Sequence, residues 1–294
     1  MSTAEPMRVC LVLDDPLRRR YHHREIEALV ADSSVEISHV LVDETYQPSE
    51  SLATAGSLPA QLLEFGHWMA AGKFLALVHA ERKLAEILKP EATVTDQLRW
   101  QEERLDVTRI DGLSEDRFVE FTPEPAGGAT YEFPDDVVDR LAEETDVVVL
   151  LGFSKILRGR ILTEPARGVL SFHGSDISKY RGRPSAFFQY INDEEEIGLT
   201  LQQLTDELDG GRVVITETAD IFDVRSWKEA RLRAVQLYGS LLVDGLQRLR
   251  DPDFDPTQPK EIGRLTYSSD GHDPKNVYRC LKRNVRRRYF ADRK

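Results

Sequence analysis

Residues Asp146–Leu151 read Asp-Val-Val-Val-Leu-Leu, and this run constrains the fold more than any other segment. A strand with one solvated face alternates polar and apolar residues, whereas a continuous β-branched run predicts a strand buried on both faces. Strands of that kind occur mainly in parallel sheets that helices cover on both sides. The segment therefore predicts an α/β fold.

The N-terminal segment predicts a β-α-β unit. An apolar strand over Arg8–Leu13 is followed by helical spacing over Arg20–Ala31 and a second strand over Val35–Val42. This order predicts a doubly wound, mostly parallel, Rossmann-like sheet. The first strand-to-helix turn contains no glycine, which argues against a dinucleotide site and a nicotinamide dehydrogenase.

The remaining pattern predicts further elements and a division of the chain. We expect a main domain over residues 1–222, made of an N-terminal half (1–145) and a second half (146–222), followed by a C-terminal helix and basic tail over 223–294. The expected elements are one or two helices in Leu58–Leu88, a strand over Gly168–Phe172, a helix over Pro184–Ile191, strands over Ile197–Gln203 and Arg212–Thr218, and one amphipathic helix over Trp227–Leu249.

Composition excludes several classes of protein. The net charge of −12 argues against a large nucleic-acid surface. The isolated Cys10 and Cys280 form neither a disulfide framework nor a zinc site, which favours the reducing cytoplasm. No signal peptide is visible in Met1–Met7, and the apolar stretch Trp68–His79 is too short to span a membrane.

His173 and Asp209 are the leading candidates for chemistry. His173 directly follows a predicted strand, and groups beyond the carboxyl ends of parallel strands face the ligand crevice of such sheets. Asp209 lies in the acidic, glycine-containing segment 206–211 between two strands. A carboxylate beside an imidazole favours the charged imidazolium, which can stabilise a developing oxyanion.

Five short segments follow one another in the second half of the chain: Gly152–Leu157 (GFSKIL), Ser171–Ser175 (SFHGS), Lys179–Gly182 (KYRG), Gly198–Thr200 (GLT) and Leu208–Gly211 (LDGG). In their order and spacing these segments resemble the formyltransferase family, which includes phosphoribosylglycinamide, methionyl-tRNA and sugar N-formyltransferases. The resemblance covers about a quarter of the chain, and the first 145 residues match only as a generic α/β half.

The resemblance implies a catalytic Asn-His-Asp set and a formyl transfer from 10-formyltetrahydrofolate to an amine. The His corresponds to His173 and the Asp to Asp209, while Ser171 stands where the family has its Asn. A Ser hydroxyl also donates a hydrogen bond but reaches less far. Loss of one oxyanion donor costs about 10²–10³ in rate, so Ser171 bears on efficiency more than on the type of reaction.

The same resemblance implies roles for further residues. No metal is needed for this chemistry. Lys155, Ile156 and Leu157 would receive the pterin ring, the loop containing Thr205 and Leu208 would cover it, and Gly174 and Ser175 would contact the acceptor. Apart from the resemblance, Arg181 could hold an anionic acceptor, because arginine suits phosphate and carboxylate. For Arg181 a structural turn with surface arginines is the competing interpretation.

Several alternatives stay open at the level of sequence. We expect a small-molecule amine acceptor, with an amino sugar or sugar nucleotide ahead of phosphoribosylglycinamide. Little chain follows the catalytic block, which makes a tRNA acceptor less favoured. A formyltetrahydrofolate hydrolase and a non-catalytic folate-binding protein are the competing functions. Homo-oligomers are conceivable through the Leu58–Leu88 helices or the basic tail.

Two basic segments could have functions of their own. His22 and His23, after a run of arginines, are interpreted as a solvated face rather than a phosphate site. The arginine-rich tail after Tyr278 has interleaved apolar residues and predicts a packed helix. It would neutralise the acidic body of its own subunit, or alternatively dock on an acidic partner, an anionic lipid surface or RNA.

Overall fold

The computed structural model describes residues 5–46, 72–73, 76–88, 100–101 and 103–290. A seven-stranded sheet forms the centre of the fold. In chain order its strands are β1 (Met7–Leu13), β3 (Val35–Asp43), β5 (Phe118–Phe121), β8 (Val147–Leu150), β10 (Val169–His173), β12 (Glu196–Gln203) and β13 (Arg212–Asp220). The short strands are β2 (Leu17–Arg19), β4 (Arg104–Asp106), β6 (Glu124–Pro125), β7 (Thr130–Glu132), β9 (Ile156–Leu157), β11 (Tyr180–Gly182) and β14 (Arg264–Thr266).

The spatial order of the sheet is β13-β12-β10-β8-β1-β3-β5. The strands from β10 to β5 run parallel, and β12 is antiparallel to both β10 and β13. The predicted α/β fold with a mostly parallel sheet is confirmed. The buried run of β8 lies between β1 and β10, where both of its faces are covered, which is why it has no polar alternation.

Helices cover both faces of this sheet. They are α1 (Arg20–Ala31), α2 (Asp135–Glu144), α3 (Phe187–Ile191), α4 (Trp227–Gln236), α5 (Tyr238–Arg250), α6 (Ser268–Gly271) and α7 (Pro274–Val285). One face of the sheet packs against α1 and α5, and the other packs against α2. A π-helical turn at Arg286–Phe290 continues α7, and residues 76–88 are helical.

The C-terminal part packs through a separate apolar cluster. In it, α3, α4 and α7 enclose side chains that include Tyr190, Ala234 and Cys280. Both cysteines are buried without solvent exposure, Cys10 in β1 and Cys280 in α7. The expected packed helix in the basic tail is therefore present as α7.

Two predicted helices have different bounds in the structure. The single helix expected over Trp227–Leu249 is wrong, because Leu237 separates α4 from α5. The chain bends there since α4 packs into the C-terminal cluster whereas α5 packs onto the main sheet. The helix expected from Pro184 begins only at Phe187, after Ala186 takes a left-handed φ of 64°.

Some expectations fall outside the described residues. The Leu58–Leu88 helices are described only at 72–73 and 76–88, and the last tail residues, 291–294, are also outside. Within the described ranges no helix combines the length and apolar character that a membrane crossing requires. The division of the chain at residue 222 stays a prediction, and α5, from beyond that point, is part of the main core.

Candidate active site

His173 is the last residue of β10, at the carboxyl end of the parallel strands. Along this strand Leu170 and Phe172 pack against the α1 and α5 face, so Ser171 and His173 point to the opposite face. The imidazole is 6% exposed. The end of β10 thus places the ring at the carboxyl edge of the sheet.

The structure brings His173 and Asp209 together. The imidazole Nδ1 lies 3.6 Å from Asp209 Oδ1, and Nε2 lies 3.0 Å from the carbonyl oxygen of Tyr180. The first distance is an ion-pair contact rather than a hydrogen bond. Nε2 therefore donates to the backbone carbonyl, and Nδ1 is the nitrogen that faces the Asp209 carboxylate. An atom placed between the ring and the carboxylate would also meet Nδ1.

Asp209 occupies a strained position in the loop between β12 and β13. Its φ of 48° is left-handed, and the backbone N–H of Gly211 beyond it donates to the Oε1 of buried Gln202 at 3.1 Å. Burial pushes the pKa of Asp209 upward, but His173, Arg183 and the Gly182 backbone N–H outweigh burial and lower this pKa overall. The carboxylate is thus held in its charged form.

Strand β11 carries the contacts that place both groups. It supplies the Tyr180 carbonyl to His173 and the Gly182 N–H to Asp209. Between them, Arg181 Nη1 lies 2.7 Å from Glu207 Oε1, and its Nε donates to the Gly263 carbonyl at 2.8 Å. The Arg181 side chain is therefore engaged in holding the Asp209 loop against the segment that leads into β14.

Gly174 and Ser175, which follow His173, form a turn and do not present an open surface. Ser175 is 3% exposed, and its Oγ donates to the Gly174 carbonyl at 2.7 Å. An added Cβ on Gly174 would lie 1.9 Å from Ser185 Oγ, so only glycine fits. Ser171 is half-buried on the same face as His173. Of these predicted site residues, Ser175 has almost no surface for a ligand.

The segment expected to receive the pterin ring lies beyond the carboxyl end of β8. Leu157 is buried in the core under α2, whereas Ile156 is exposed. Lys155 forms an ion pair with the buried Asp43. In the loop between β12 and β13 Leu208 is exposed, and Thr205 Oγ1 accepts the Glu207 N–H at 3.4 Å. Ile156 and Leu208 are therefore the two apolar side chains here that a planar ring could cover.

A second polar group at the carboxyl end of β1 was missed by sequence reasoning. Arg18 Nη1 donates to the Gly152 carbonyl at 2.9 Å, and Asp14 Oδ1 accepts the Ser154 N–H at 2.9 Å. Burial raises the pKa of Asp14. The available signal was position alone, since Asp14 follows β1 directly, at the same edge of the sheet as His173.

The interpretation of His22 as part of a solvated face is wrong. Its side chain is 12% exposed, and its Nδ1 lies 3.0 Å from Oε2 of Glu25, which has no exposure. The Nε2 points toward Gly152, where it would lie 3.2 Å from an added Cβ. Burial raises the pKa of Glu25, and His22 opposes this increase. The first turn of α1 thus places an imidazole next to Gly152, just beyond the carboxyl end of β8.

These groups suit acid-base and oxyanion chemistry. A charged carboxylate beside a nearly buried imidazole can hold an imidazolium and relay a proton. Among the described residues, no group of three or more His, Cys, Asp or Glu side chains is arranged to hold a metal ion.

The chain is similar to known proteins in sequence and in fold. A family model described as formyl transferase matches residues 114–245. Methionyl-tRNA formyltransferase of Thermotoga maritima is 25% identical over 123 residues, which cover 42% of this chain and 39% of that protein. The match thus spans about two fifths of the relative's length.

Solved structures share the fold across most of the chain. An N-formyltransferase from Helicobacter canadensis, in complex with folinic acid and dTDP-3-aminofucose, has a TM-score of 0.55 at 11% identity and covers 95% of this chain and 81% of its own. Glycinamide ribonucleotide transformylase 1 from Symbiobacterium toebii has a TM-score of 0.54 at 12% identity, with coverages of 89% and 96%. At these identities the likeness supports the fold alone.

Proposed function

Because residues 114–245 belong to the formyl transferase family, we propose that the protein transfers a formyl group from 10-formyltetrahydrofolate to an amine of a small-molecule acceptor. The observation that carries this proposal is the pair of His173 and ionised Asp209 at the carboxyl end of β10. Such a pair suits a reaction that passes through a tetrahedral intermediate with a negatively charged oxygen.

In this proposal each group has a step. The neutral amine attacks the formyl carbon, and the carbonyl oxygen becomes an oxyanion. His173, as imidazolium, stabilises that oxygen through Nδ1, because Nε2 is committed to the Tyr180 carbonyl. Asp209 orients the ring and accepts the amine proton through water, and a proton returns to the folate nitrogen as the C–N bond breaks. Ser171 is the candidate for a further hydrogen-bond donor to the oxyanion.

The donor site is proposed at the carboxyl ends of β8 and β10. The backbone at Lys155, Ile156 and Leu157 would receive the pterin edge, and Leu208 with Thr205 would cover the ring. The exposure of Ile156 and Leu208 supports this placement, because apolar side chains left in solvent gain when a ring covers them. Two proteins of the same fold are described as complexes with folate compounds, folinic acid and 5-N-formyl-THF.

The acceptor is proposed to be an amino sugar or a sugar nucleotide, with phosphoribosylglycinamide second. Two same-fold proteins support this order: a Helicobacter canadensis N-formyltransferase is described with dTDP-3-aminofucose, and the sugar 3N-formyltransferase WlaRD is described with dTDP. We propose that Gly174 and Arg181 contribute to the acceptor side through their backbone. The Arg181 side chain contributes only indirectly, by holding the shape of the Asp209 loop. Ser175 would act in the same way, from within the turn.

A His173→Ala variant tests the proposal directly. We expect turnover of 10-formyltetrahydrofolate with the best amine to fall by about 10²–10³, because the oxyanion loses its imidazolium partner. The measurement is mass spectrometry of the formylated product across a panel of amino sugars, sugar nucleotides and phosphoribosylglycinamide. His79→Ala, at an exposed helical position, is the matched control.

The same assay separates the competing functions. Unchanged turnover in His173→Ala would remove this residue from the chemistry. Formate release from the wild-type protein without any amine would identify a hydrolase, and folate binding without turnover would identify a binding protein.

A further inference from the structure

A cavity of about 300 Å³ lies between β11 and α3 on one side and the C-terminal β14, α6 and α7 on the other. Its walls include residues from 264–279, which follow the segment matched by the family model. A volume of this size is at the lower end of the range for small-molecule sites.

Three cationic side chains line this cavity, against one carboxylate. They are Lys179, Arg264 and Arg279, and the carboxylate is Asp270. Asp270 Oδ2 already accepts the Tyr267 N–H at 2.7 Å, as part of the cap of α6. The cavity therefore carries an excess of positive charge in a chain whose net charge is −12.

The cationic groups are not neutralised by close ion pairs. Arg279 Nη2 donates to the uncharged Ile191 carbonyl and to Asn192 Oδ1, at 3.0 and 2.7 Å. Lys179 Nζ lies 3.8 Å from Asp176, and its side chain is 63% exposed. Arg264 is exposed and forms no ion pair with any residue in the described ranges. Their positive charge therefore remains available to an anion.

We propose that this cavity binds the phosphate groups of a small organic phosphate. Arginine and lysine together suit a group with several charged oxygens, and the amides of Asn192 and Asn276 add neutral donors at the wall. The rings of Tyr180 and Phe188 also line the cavity and give the organic part of the ligand an apolar surface. A diphosphate matches the excess of positive charge better than a single carboxylate does.

Tyr180 connects this cavity with the candidate active site. Its side chain lines the cavity, its OH accepts a hydrogen bond from Asn192 Nδ2 at 2.8 Å, and its carbonyl oxygen faces His173 Nε2. A ligand that fixes Tyr180 will therefore steady the backbone contact that holds the imidazole. The binding itself does not depend on whether the protein transfers formyl groups.

Calorimetric titration with sodium pyrophosphate at constant ionic strength tests the site. We expect Arg264→Gln and Lys179→Gln each to weaken binding by about tenfold, since each removes a charged contact. Arg109→Gln is the matched control, because Arg109 is an 84% exposed arginine in a different part of the fold. Both test residues are exposed, so folding should be retained. Equal affinity in all variants, or no binding by the wild type, would overturn the proposal.

Hydrogen-deuterium exchange locates the bound anion independently of substitutions. Pyrophosphate is expected to protect amides in 179–192 and 264–279, and protection confined to other segments would count against the cavity. Steady-state kinetics then identify the source of the phosphate. Competition between pyrophosphate and the amine acceptor would mean that the acceptor's own phosphate occupies the cavity, whereas an effect on kcat alone would mean a separate effector.

Discussion

At the scale of single residues, two partly or fully buried carboxylates have pKa values shifted in opposite directions. Asp209 meets an imidazole, a backbone N–H and the charge of Arg183, and the net result is a lowered pKa. Glu25 meets only His22, and its Oε1 has no hydrogen-bond partner among the described residues, so burial keeps its pKa raised. At Asp209 the partners outweigh the cost of burial, whereas at Glu25 they do not.

The Asp209→Asn variant is expected to lower the free energy of unfolding by about 1–2 kcal/mol near neutral pH, because it removes a charge-assisted contact. A lowered carboxyl pKa contributes stability above its ordinary value of 3.8, and this contribution is lost as pH falls through the folded-state pKa. The difference from wild type should therefore shrink in acid. Urea unfolding at several pH values measures it, with Asp206→Asn in the same loop as the control.

The Glu25→Gln variant is expected to show the opposite pH dependence. A raised carboxyl pKa means that the charged form costs stability in the folded state, so the neutral amide should stabilise by about 1 kcal/mol at neutral and alkaline pH. This gain in stability should disappear below pH 4.5, the ordinary pKa of a glutamate side chain, because Glu25 is then protonated in both the folded and the unfolded state. Urea unfolding of Glu27→Gln, an exposed neighbour, is the comparison. A loss of stability at neutral pH would show that the pair with His22 is net favourable.

At the scale of elements, β11 is the support of the candidate site. It contacts His173 and the Asp209 loop on one side and pairs in parallel with β14 on the other. The two strands come very close at Gly182, which has a φ of 85°. A Cβ added at Gly182 would lie 1.8 Å from the Thr266 carbonyl oxygen. The C-terminal segment thus stabilises the geometry of residues that lie some ninety positions earlier in the chain.

We expect Gly182→Ala to push β14 away from β11. The free energy of unfolding should fall by about 3 kcal/mol or more, from backbone strain and steric collision together, and the rate of formyl transfer should fall as well. Gly127→Ala separates the two causes. Gly127 has a φ of 100° but no atom within 4 Å of the added Cβ, so it reports backbone strain alone. Thermal unfolding of both variants measures the difference, and equal losses would contradict the steric role of Thr266.

The sequence predicted the elements whose pattern is local. Local pattern placed α1, β3, β8 and β10 close to their observed bounds, α1 through its helical spacing and β8 through its continuous apolar run. The pairing of β11 with β14 joins segments that are distant in sequence and too short to have a period. The break at Leu237 depends on the packing of α4 and α5 into different clusters, which no local pattern records.

The same limit applies to the candidate site. Motif order placed His173 and Asp209 in one site, and the structure places their side chains within ion-pair distance of each other. Sequence reasoning could not foresee that Arg181 pairs with Glu207 or that Glu25 is fully buried, because both depend on which side chains meet across the fold. For polar residues, neighbours in space decide between a ligand contact and a structural one.

At the scale of the whole molecule, the basic C-terminal helix is joined to the acidic body by specific contacts. Arg283 pairs with Asp193 at 3.3 Å, and Arg288 pairs with Glu81 at 3.0 Å. Tyr190 in α3 donates from its buried hydroxyl to Asn284 Oδ1 at 2.8 Å. These contacts support the interpretation that the basic tail neutralises its own subunit.

We expect the chain to unfold in one cooperative step. The Tyr190→Phe variant is expected to lower the free energy of unfolding by about 1–2 kcal/mol, because the Asn284 oxygen loses a buried donor. Circular dichroism and tryptophan fluorescence should shift together. Tyr278→Phe, at a 65% exposed position of α7, is the control. Two separated transitions would support residues 223–294 as an independent unit.

The burial of both cysteines has a practical consequence. Burial raises the pKa of the Cys280 thiol to about 12 and raises that of Cys10 as well, so neither forms a reactive thiolate in the folded protein. A maleimide added to the native protein should therefore label each position only when its surroundings open. Cys10 reports rupture of the sheet, and Cys280 reports detachment of α7. Peptide-resolved labelling rates would then distinguish these two motions in the unaltered chain.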